Sequence, residues 1–211
     1  MDEESAIRIF EKCGAIVKGH FVYAGGLHGD TYINKHALYT NPIYSFALAE
    51  GIAEKCSDLG IHIVAAPERG GIILAQWVAM WLMDFIENHV VFAMWAEKNG
   101  DDFEFRHGYE KLIAGKRALV VDDVLNTGAS ALKVKRSVSR LGGIPVGFGA
   151  LWNRGGVNSS QMDGLPVRSI INSEFPKYTH KECPLCKSGA LINTNLGHGK
   201  EFLESLKKQL P

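Results

Sequence analysis

The sequence predicts an α/β protein, with a central, mainly parallel sheet flanked by helices. Three observations carry that prediction. Between residues 61 and 172, short apolar runs of strand length alternate with longer stretches of helical periodicity. Strands that alternate with helices favour parallel pairing, with both sheet faces covered. An apolar content of 46% over 211 residues suits one domain with a full core, or one domain with a small appendage.

Each element has its own signal. Ile7, Ile9, Phe10 and Cys13 within residues 4–14 predict an amphipathic helix that stops at Gly14. Residues 19–40, rich in Gly, His and Tyr with β-type residues between, predict an irregular segment of short strands. Asn41-Pro42 opens a helix, with Asn as N-cap and Pro in the first turn, that runs to about Cys56. Ile61 to Ala66 predicts a strand, Gly71 to about Glu87 a helix, and Val90 to Trp95 another strand. A charged stretch, 97–111, interrupts the alternation. A strand over 117–122, a helix over 129–141 and strands over 144–152 and 167–172 follow. A last helix near 200–209 places Phe202, Leu203 and Leu206 on one side. No internal repeat or low-complexity linker divides the chain.

Residues 118–130, Ala-Leu-Val-Val-Asp-Asp-Val-Leu-Asn-Thr-Gly-Ala-Ser, carry the most chemistry. The apolar run reads as a buried strand, and Asp122 and Asp123 fall at its C-terminal end, where ligands sit in open α/β sheets. Asn126, Thr127, Gly128, Ala129 and Ser130 bring N–H groups and hydroxyls to the start of a helix, the usual way to hold a phosphate. Acids for sugar hydroxyls beside a phosphate cradle point to a ribose-5-phosphate ligand. Paired acids after an apolar run also occur in phosphoacceptor domains and Mg²⁺-dependent phosphatases, and spacing leaves those readings open. Pro67-Glu68-Arg69-Gly70-Gly71 joins an earlier strand to its helix, and its glycines let N–H groups approach an anion.

The segment 118–130 resembles, nearly residue for residue, the phosphoribosyl-pyrophosphate (PRPP) signature of type I phosphoribosyltransferases. The resemblance implies that Asp122 and Asp123 bind the ribose hydroxyls, with Mg²⁺ close by, and that Asn126 to Ser130 bind the 5-phosphate. It assigns Glu68, Arg69, Gly70 and Gly71 to the pyrophosphate. Within that family the chain is most similar to orotate phosphoribosyltransferases. Their mobile loop corresponds to 97–111, which implies that Lys98 and Arg106, with His107, neutralise the departing pyrophosphate. Gly19-His-Phe-Val and the stretch from Gly26 to Lys35 resemble the hood of those enzymes, built from about 15–40 and C-terminal segments. There Lys35 would reach the substrates. Trp152-Asn153-Arg154-Gly155-Gly156 resembles the strand end whose Arg holds the orotate carboxylate, which assigns Arg154 and Asn126 to the base. A homodimer with a shared active site is implied as well.

Departures from the family pattern lie on the base side: Gly25-Gly26 in place of Ser-Gly, Gly29 in place of another Ser, Asn153 in place of Asp, and Asn126 in place of Thr. They keep another acceptor base open. A non-catalytic PRPP-binding regulator is a further alternative, but it should carry a DNA-binding module or a basic face. The 23 basic and 23 acidic residues cancel, which argues against nucleic acid as main partner. No apolar run approaches the ~20 residues needed to span a bilayer. The acidic N-terminus lacks a signal-peptide layout, so cytoplasmic residence is expected. Cys183-Pro-Leu-Cys186, with His180 and His198 nearby, is a single C-x-x-C. Ordinary thiols in a turn are expected there rather than a four-ligand zinc site.

Overall fold

The computed structural model of the chain describes residues 1–86 and 90–209. Two compact units are present: one holds Met1–Ile9 and Tyr39–Glu174, the other Phe10–Leu38 and the chain from Phe175 onward.

The larger unit is built on a six-stranded sheet. Its strands are β3 (Ile63–Pro67), β4 (Phe92–Asn99), β5 (Asp102–Glu104), β6 (Arg117–Leu125), β7 (Ile144–Asn153) and β8 (Val167–Ile171). They lie in the order β5-β4-β3-β6-β7-β8, all parallel except the β4–β5 pair. The runs Ile63 to Pro67 and Ala118 to Val121 are buried throughout, as strands covered on both faces must be. Helix α3 (Pro42–Cys56) leads into β3, and α4 (Gly70–Phe85), α5 (Glu110–Ile113) and α6 (Ala129–Arg140) lie in the connections β3–β4, β5–β6 and β6–β7. Asn41 caps α3 as expected, its Oδ1 accepting from the Ile43 N–H at 3.0 Å. The end of α4 anticipated near Glu87 lies outside the described residues. One layer of core joins Ile63, Ala65, Met94, Val120, Val134 and Phe148 with Phe103 and Phe105.

The smaller unit contains a two-stranded antiparallel hairpin, β1 (Ile16–Val22) and β2 (His28–Ile33), with α7 (Pro184–Lys187) and α8 (Gly199–Gln209). Helix α1 (Glu3–Lys12) and the short α2 (Lys35–Tyr39) lie where the chain passes between units. No helix among the described residues is long and apolar enough to cross a membrane.

Two elements differ from the sequence prediction. Strand β6 does not end at Asp122 but carries both acids and continues to Leu125, because Val124 and Leu125 still pair with Trp152 and Asn153 of β7. The charged stretch 97–111, read from sequence as a break in the alternation, is partly regular. Strand β4 extends to Asn99, turns at Gly100 (φ +60°) and pairs with β5, Lys98 opposite Phe103, before the helical turn α5. Its charges conceal two aromatic anchors, Phe103 and Phe105, which are 9% and 5% exposed.

Candidate active site

Strand order decides where a ligand can sit. The chain lays down β3, moves outward to β4, then returns to place β6 on the other side of β3. Connections therefore leave β3 and β6 in opposite directions, and a crevice opens beyond their C-terminal ends. Register sets the contents of that edge. Pro67 is level with Ala96, Ala65 with Val120, and Asp122 with Ala150. Just past this row come Glu68 after β3, Lys98 on β4, Asp123 on β6 and Arg154 after β7.

Asp122 is half-buried and Asp123 is 2% exposed. Each carboxylate accepts a backbone N–H: Asp122 Oδ1 from Asp123 and Asp123 Oδ1 from Val124, both at 2.9 Å. The loop after them turns through Gly128, whose φ of +73° is the left-handed conformation that glycine adopts without steric cost. A Cβ there would also stand 2.7 Å from Met162 Sδ. Helix α6 begins at Ala129, and the Ala129 N–H donates to Thr127 Oγ1 at 3.4 Å. Asn126, Thr127, Ala129 and Ser130 are exposed, so the helix start faces solvent as an anion site would require.

The turn after β3 is braced to the neighbouring strand. The Glu68 N–H donates to Ala96 O at 3.0 Å, and Glu68 Oε1 accepts from the Lys98 N–H at 2.8 Å. The Glu68–Arg69 peptide is cis. Gly70 and Gly71 are buried in the first turn of α4, and a Cβ on Gly71 would lie 2.7 Å from Ala66 Cβ. Past β4, Arg106 reaches Glu97 at 3.6 Å and Glu104 at 3.4 Å, and His107 Nε2 lies 2.9 Å from Glu97.

Arg154 is 4% exposed, and its N–H donates to Leu125 O at 2.9 Å. Asn153 makes two reciprocal bonds: its Nδ2 donates to Val157 O at 2.7 Å and its Oδ1 accepts from the Val157 N–H at 2.8 Å. An amide supplies both a donor and an acceptor; a carboxylate supplies only acceptors. Asn153 thus clips the turn carrying Arg154, which accounts for its departure from the family pattern. Gly25, Gly26 and Gly29 have local reasons too. Gly25 and Gly26 have φ of +87° and +81°, and a Cβ on Gly29 would lie 2.3 Å from Tyr23 Oη.

Residues 36–176 match the family model for the phosphoribosyl transferase domain. The chain belongs to the phosphoribosyl transferase family. Among curated relatives of this phosphoribosyltransferase, the orotate phosphoribosyltransferase of Caldanaerobacter subterraneus subsp. tengcongensis is 37% identical over 190 residues, 90% of this chain and 94% of that protein. The enzyme of the same name from Thermus thermophilus is 32% identical, covering 87% and 95%. A solved orotate phosphoribosyltransferase of Mycobacterium tuberculosis, in complex with Fe(III) dicitrate, shares the fold. Its TM-score is 0.66 at 21% identity, over 82% of this chain and 96% of that one.

Within the larger unit of this phosphoribosyltransferase, the acid pair, the loop 126–130, the turn 68–71, Lys98 and Arg154 share one sheet edge. Lys35 opens α2 in the smaller unit. One neighbour of the acids escaped sequence reasoning. The Tyr39 hydroxyl is enclosed, and burial, reinforced by the charges of Asp123 and Asp122, pushes its pKa well above that of an ordinary tyrosine. It stays protonated at neutral pH. A lone Tyr ending a five-residue helix gives no sign of that proximity.

Proposed function

We propose that the protein transfers ribose 5-phosphate from PRPP to N1 of orotate, giving orotidine 5′-monophosphate and pyrophosphate, a reaction of de novo pyrimidine synthesis. One observation carries this reading. The acid pair of β6, the helix-start loop and the Glu68–Gly71 turn open on one edge of a phosphoribosyltransferase sheet. Relatives matched over about nine-tenths of the chain are named orotate phosphoribosyltransferase, which supports orotate as the acceptor.

Each part has a task. N–H groups and hydroxyls of Asn126 to Ser130 bind the 5-phosphate, and Asp122 and Asp123 accept from the ribose hydroxyls. Glu68 to Gly71 present backbone donors to the pyrophosphate. Arg154 offers a fixed donor fork that matches the orotate carboxylate, with Asn126 on the base side. As the anomeric C–O bond breaks, its electron pair leaves with pyrophosphate and the sugar gains oxocarbenium character; N1 of the orotate anion then attacks. Stabilisation is chiefly electrostatic, through Lys98, Arg106 and His107 at the leaving group. Arg106 now pairs with Glu97 and Glu104, so pyrophosphate must compete with those carboxylates for it. We place a closing lid within residues 97–111, its exposed parts moving over the anchored Phe103 and Phe105 to exclude water from PRPP.

An all-oxygen donor set suits a hard cation, and Asp122 and Asp123 would hold Mg²⁺ directly or through water. Such an ion supplies positive charge beside the pyrophosphate. The deciding assay combines the full chain with PRPP, Mg²⁺ and orotate and follows loss of orotate absorbance, beside a panel of other bases. Turnover confined to orotate is expected. Turnover of another base with none of orotate overturns the acceptor but leaves the PRPP site standing.

A further inference from the structure

In the smaller unit, four soft donors from distant parts of the sequence converge. Strand β1 carries His20, in the irregular stretch between Lys18 and Phe21, and β2 carries His28, their ring centroids 5.2 Å apart. The C-terminal segment is laced to both. The His28 N–H donates to Tyr178 O at 2.8 Å, the Tyr178 N–H returns a bond to His28 O at 2.9 Å, and the Asn193 N–H donates to His20 O at 2.8 Å. Between those anchors, Cys183 stands at the N-cap of the single turn α7 and Cys186 lies within it, the turn closed by the Lys187 N–H on Cys183 O at 3.1 Å. That turn points both thiols at the histidines. One ligand atom from each of His20, His28, Cys183 and Cys186 lies within 4.8 Å of all the others.

We propose that these four residues form a structural zinc site that fastens the β1–β2 hairpin to the C-terminal segment. The spacing supports it. Around a tetrahedral zinc with Zn–S of about 2.3 Å and Zn–N of about 2.0–2.1 Å, neighbouring N and S ligand atoms stand roughly 3.5–3.6 Å apart. Here His20 Nε2 lies 3.6 Å from Cys183 Sγ and 3.5 Å from Cys186 Sγ, and His28 Nδ1 lies 3.4 Å from Cys186 Sγ. The two ring nitrogens are 3.0 Å apart, a few tenths of an ångström closer than two such ligands would be.

Tautomer chemistry supplies an independent argument. His20 Nδ1 sits 2.8 Å from Ala190 O, and a carbonyl can only accept, so Nδ1 carries the proton. In the neutral ring Nε2 then keeps its lone pair, aimed into the cluster. A backbone carbonyl orienting a ring in this way is the usual outer support of a ligating histidine. His180 Nδ1, 3.3 Å from Cys186 Sγ, is placed to donate to that sulfur. Two thiolates and two imidazoles select zinc over Mg²⁺ or Ca²⁺. Four protein ligands leave no open position, and His20, His28 and Cys183 are buried, which marks the site as structural rather than catalytic.

The unit has need of such a tie. A two-stranded hairpin is marginal alone, and the unit buries few large apolar side chains, chiefly Phe10, Phe21, Ile33 and Leu38. The metal would join positions 163 residues apart in the chain, so binding would contribute directly to folding.

The test uses the full chain without a polyhistidine tag. After loading with ZnCl₂ and passage over chelating resin, atomic emission should find about one zinc per chain in the wild type and in Cys13→Ser, and less than ~0.1 in Cys183→Ser and Cys186→Ser. Because those variants could misfold, two readouts stay with the wild type. Co²⁺ added to stripped protein should give tetrahedral d–d bands with thiolate-to-metal charge transfer. Zinc should also slow alkylation of Cys183 and Cys186 at least about tenfold while leaving Cys13 unchanged. Wild type that retains less than ~0.1 zinc after loading, a Co²⁺ spectrum without charge transfer, or equal alkylation rates with and without zinc would each overturn the proposal.

Discussion

Gly155 shows how tightly single residues constrain the site. A Cβ on it would lie 1.6 Å from the carbonyl oxygen of Asn126, so the turn after β7 and the loop after β6 touch backbone to backbone. Any side chain there must push the loop away. Gly155→Ala is expected to cost about 1–3 kcal/mol or more of stability, as overpacking does. It should also weaken PRPP binding at least about tenfold, equivalent to ~1.4 kcal/mol. Gly142→Ala is the control: its φ of +76° makes alanine strained, but its Cβ meets nothing closer than 3.9 Å. Urea denaturation and PRPP titration separate the two, with Gly142→Ala losing stability alone. Equal PRPP affinities in both variants would contradict the coupling. Asp122, Asp123 and Gly128 were legible in the sequence, because strand, acids and loop are contiguous. Gly155 and Asn153 were not interpretable, because what they touch is set by the register between β6 and β7.

Among the elements, the β4–β5 hairpin behaves least like its composition. Its charged sequence suggests a solvated loop, yet Phe103 and Phe105 enter the core and α6 holds the hairpin from outside. Arg140 Nη1 lies 2.8 Å from Asp102 Oδ2, Arg140 Nη2 donates to Phe103 O at 3.0 Å, and Lys133 donates to Asp101 O. The Phe103 N–H, and next the Arg140 guanidinium, hold the Asp102 carboxyl below the usual carboxylate range. A depressed folded pKa gives stabilisation that is complete above the unfolded value, about 3.9. It is lost as pH falls through the lower, folded value. Hairpin amides, corrected for intrinsic exchange, should therefore lose hydrogen-exchange protection as pH drops below about 4. In Arg140→Ala the step should shrink without vanishing, since the backbone bond remains. Protection independent of pH in the wild type would show that Asp102 does not help dock the hairpin.

Across the whole molecule, the question is whether one chain completes its own site. Helix α4 exposes Ile73, Met80 and Met83 at 41%, 42% and 40%, an apolar stripe that suits contact with a second copy. We read the enzyme as a homodimer in which the lid of one subunit serves the other. Mixing inactive Arg106→Ala with inactive Asp123→Asn then tests it. With a shared site, random re-association makes half the dimers hybrid, each with one intact site, and recovers about a quarter of wild-type activity. Recovery no greater than background would mean each chain supplies its own Arg106.

Local order in the chain was sufficient for the α/β class, for most strands and helices and for the strand–acid–loop segment 118–130, because each rests on periodicity or on neighbours in sequence. Contacts across sequence distance were decided only on folding. Sheet register brought Glu68, Lys98, Asp123 and Arg154 to one edge. Core packing drew Phe103 and Phe105 inward from a charged stretch. The C-x-x-C read as a plain turn because its companions, His20 and His28, lie more than 150 residues upstream and meet it only in the folded unit. Pairing and packing act in space, and a pattern of neighbours along the chain does not record them.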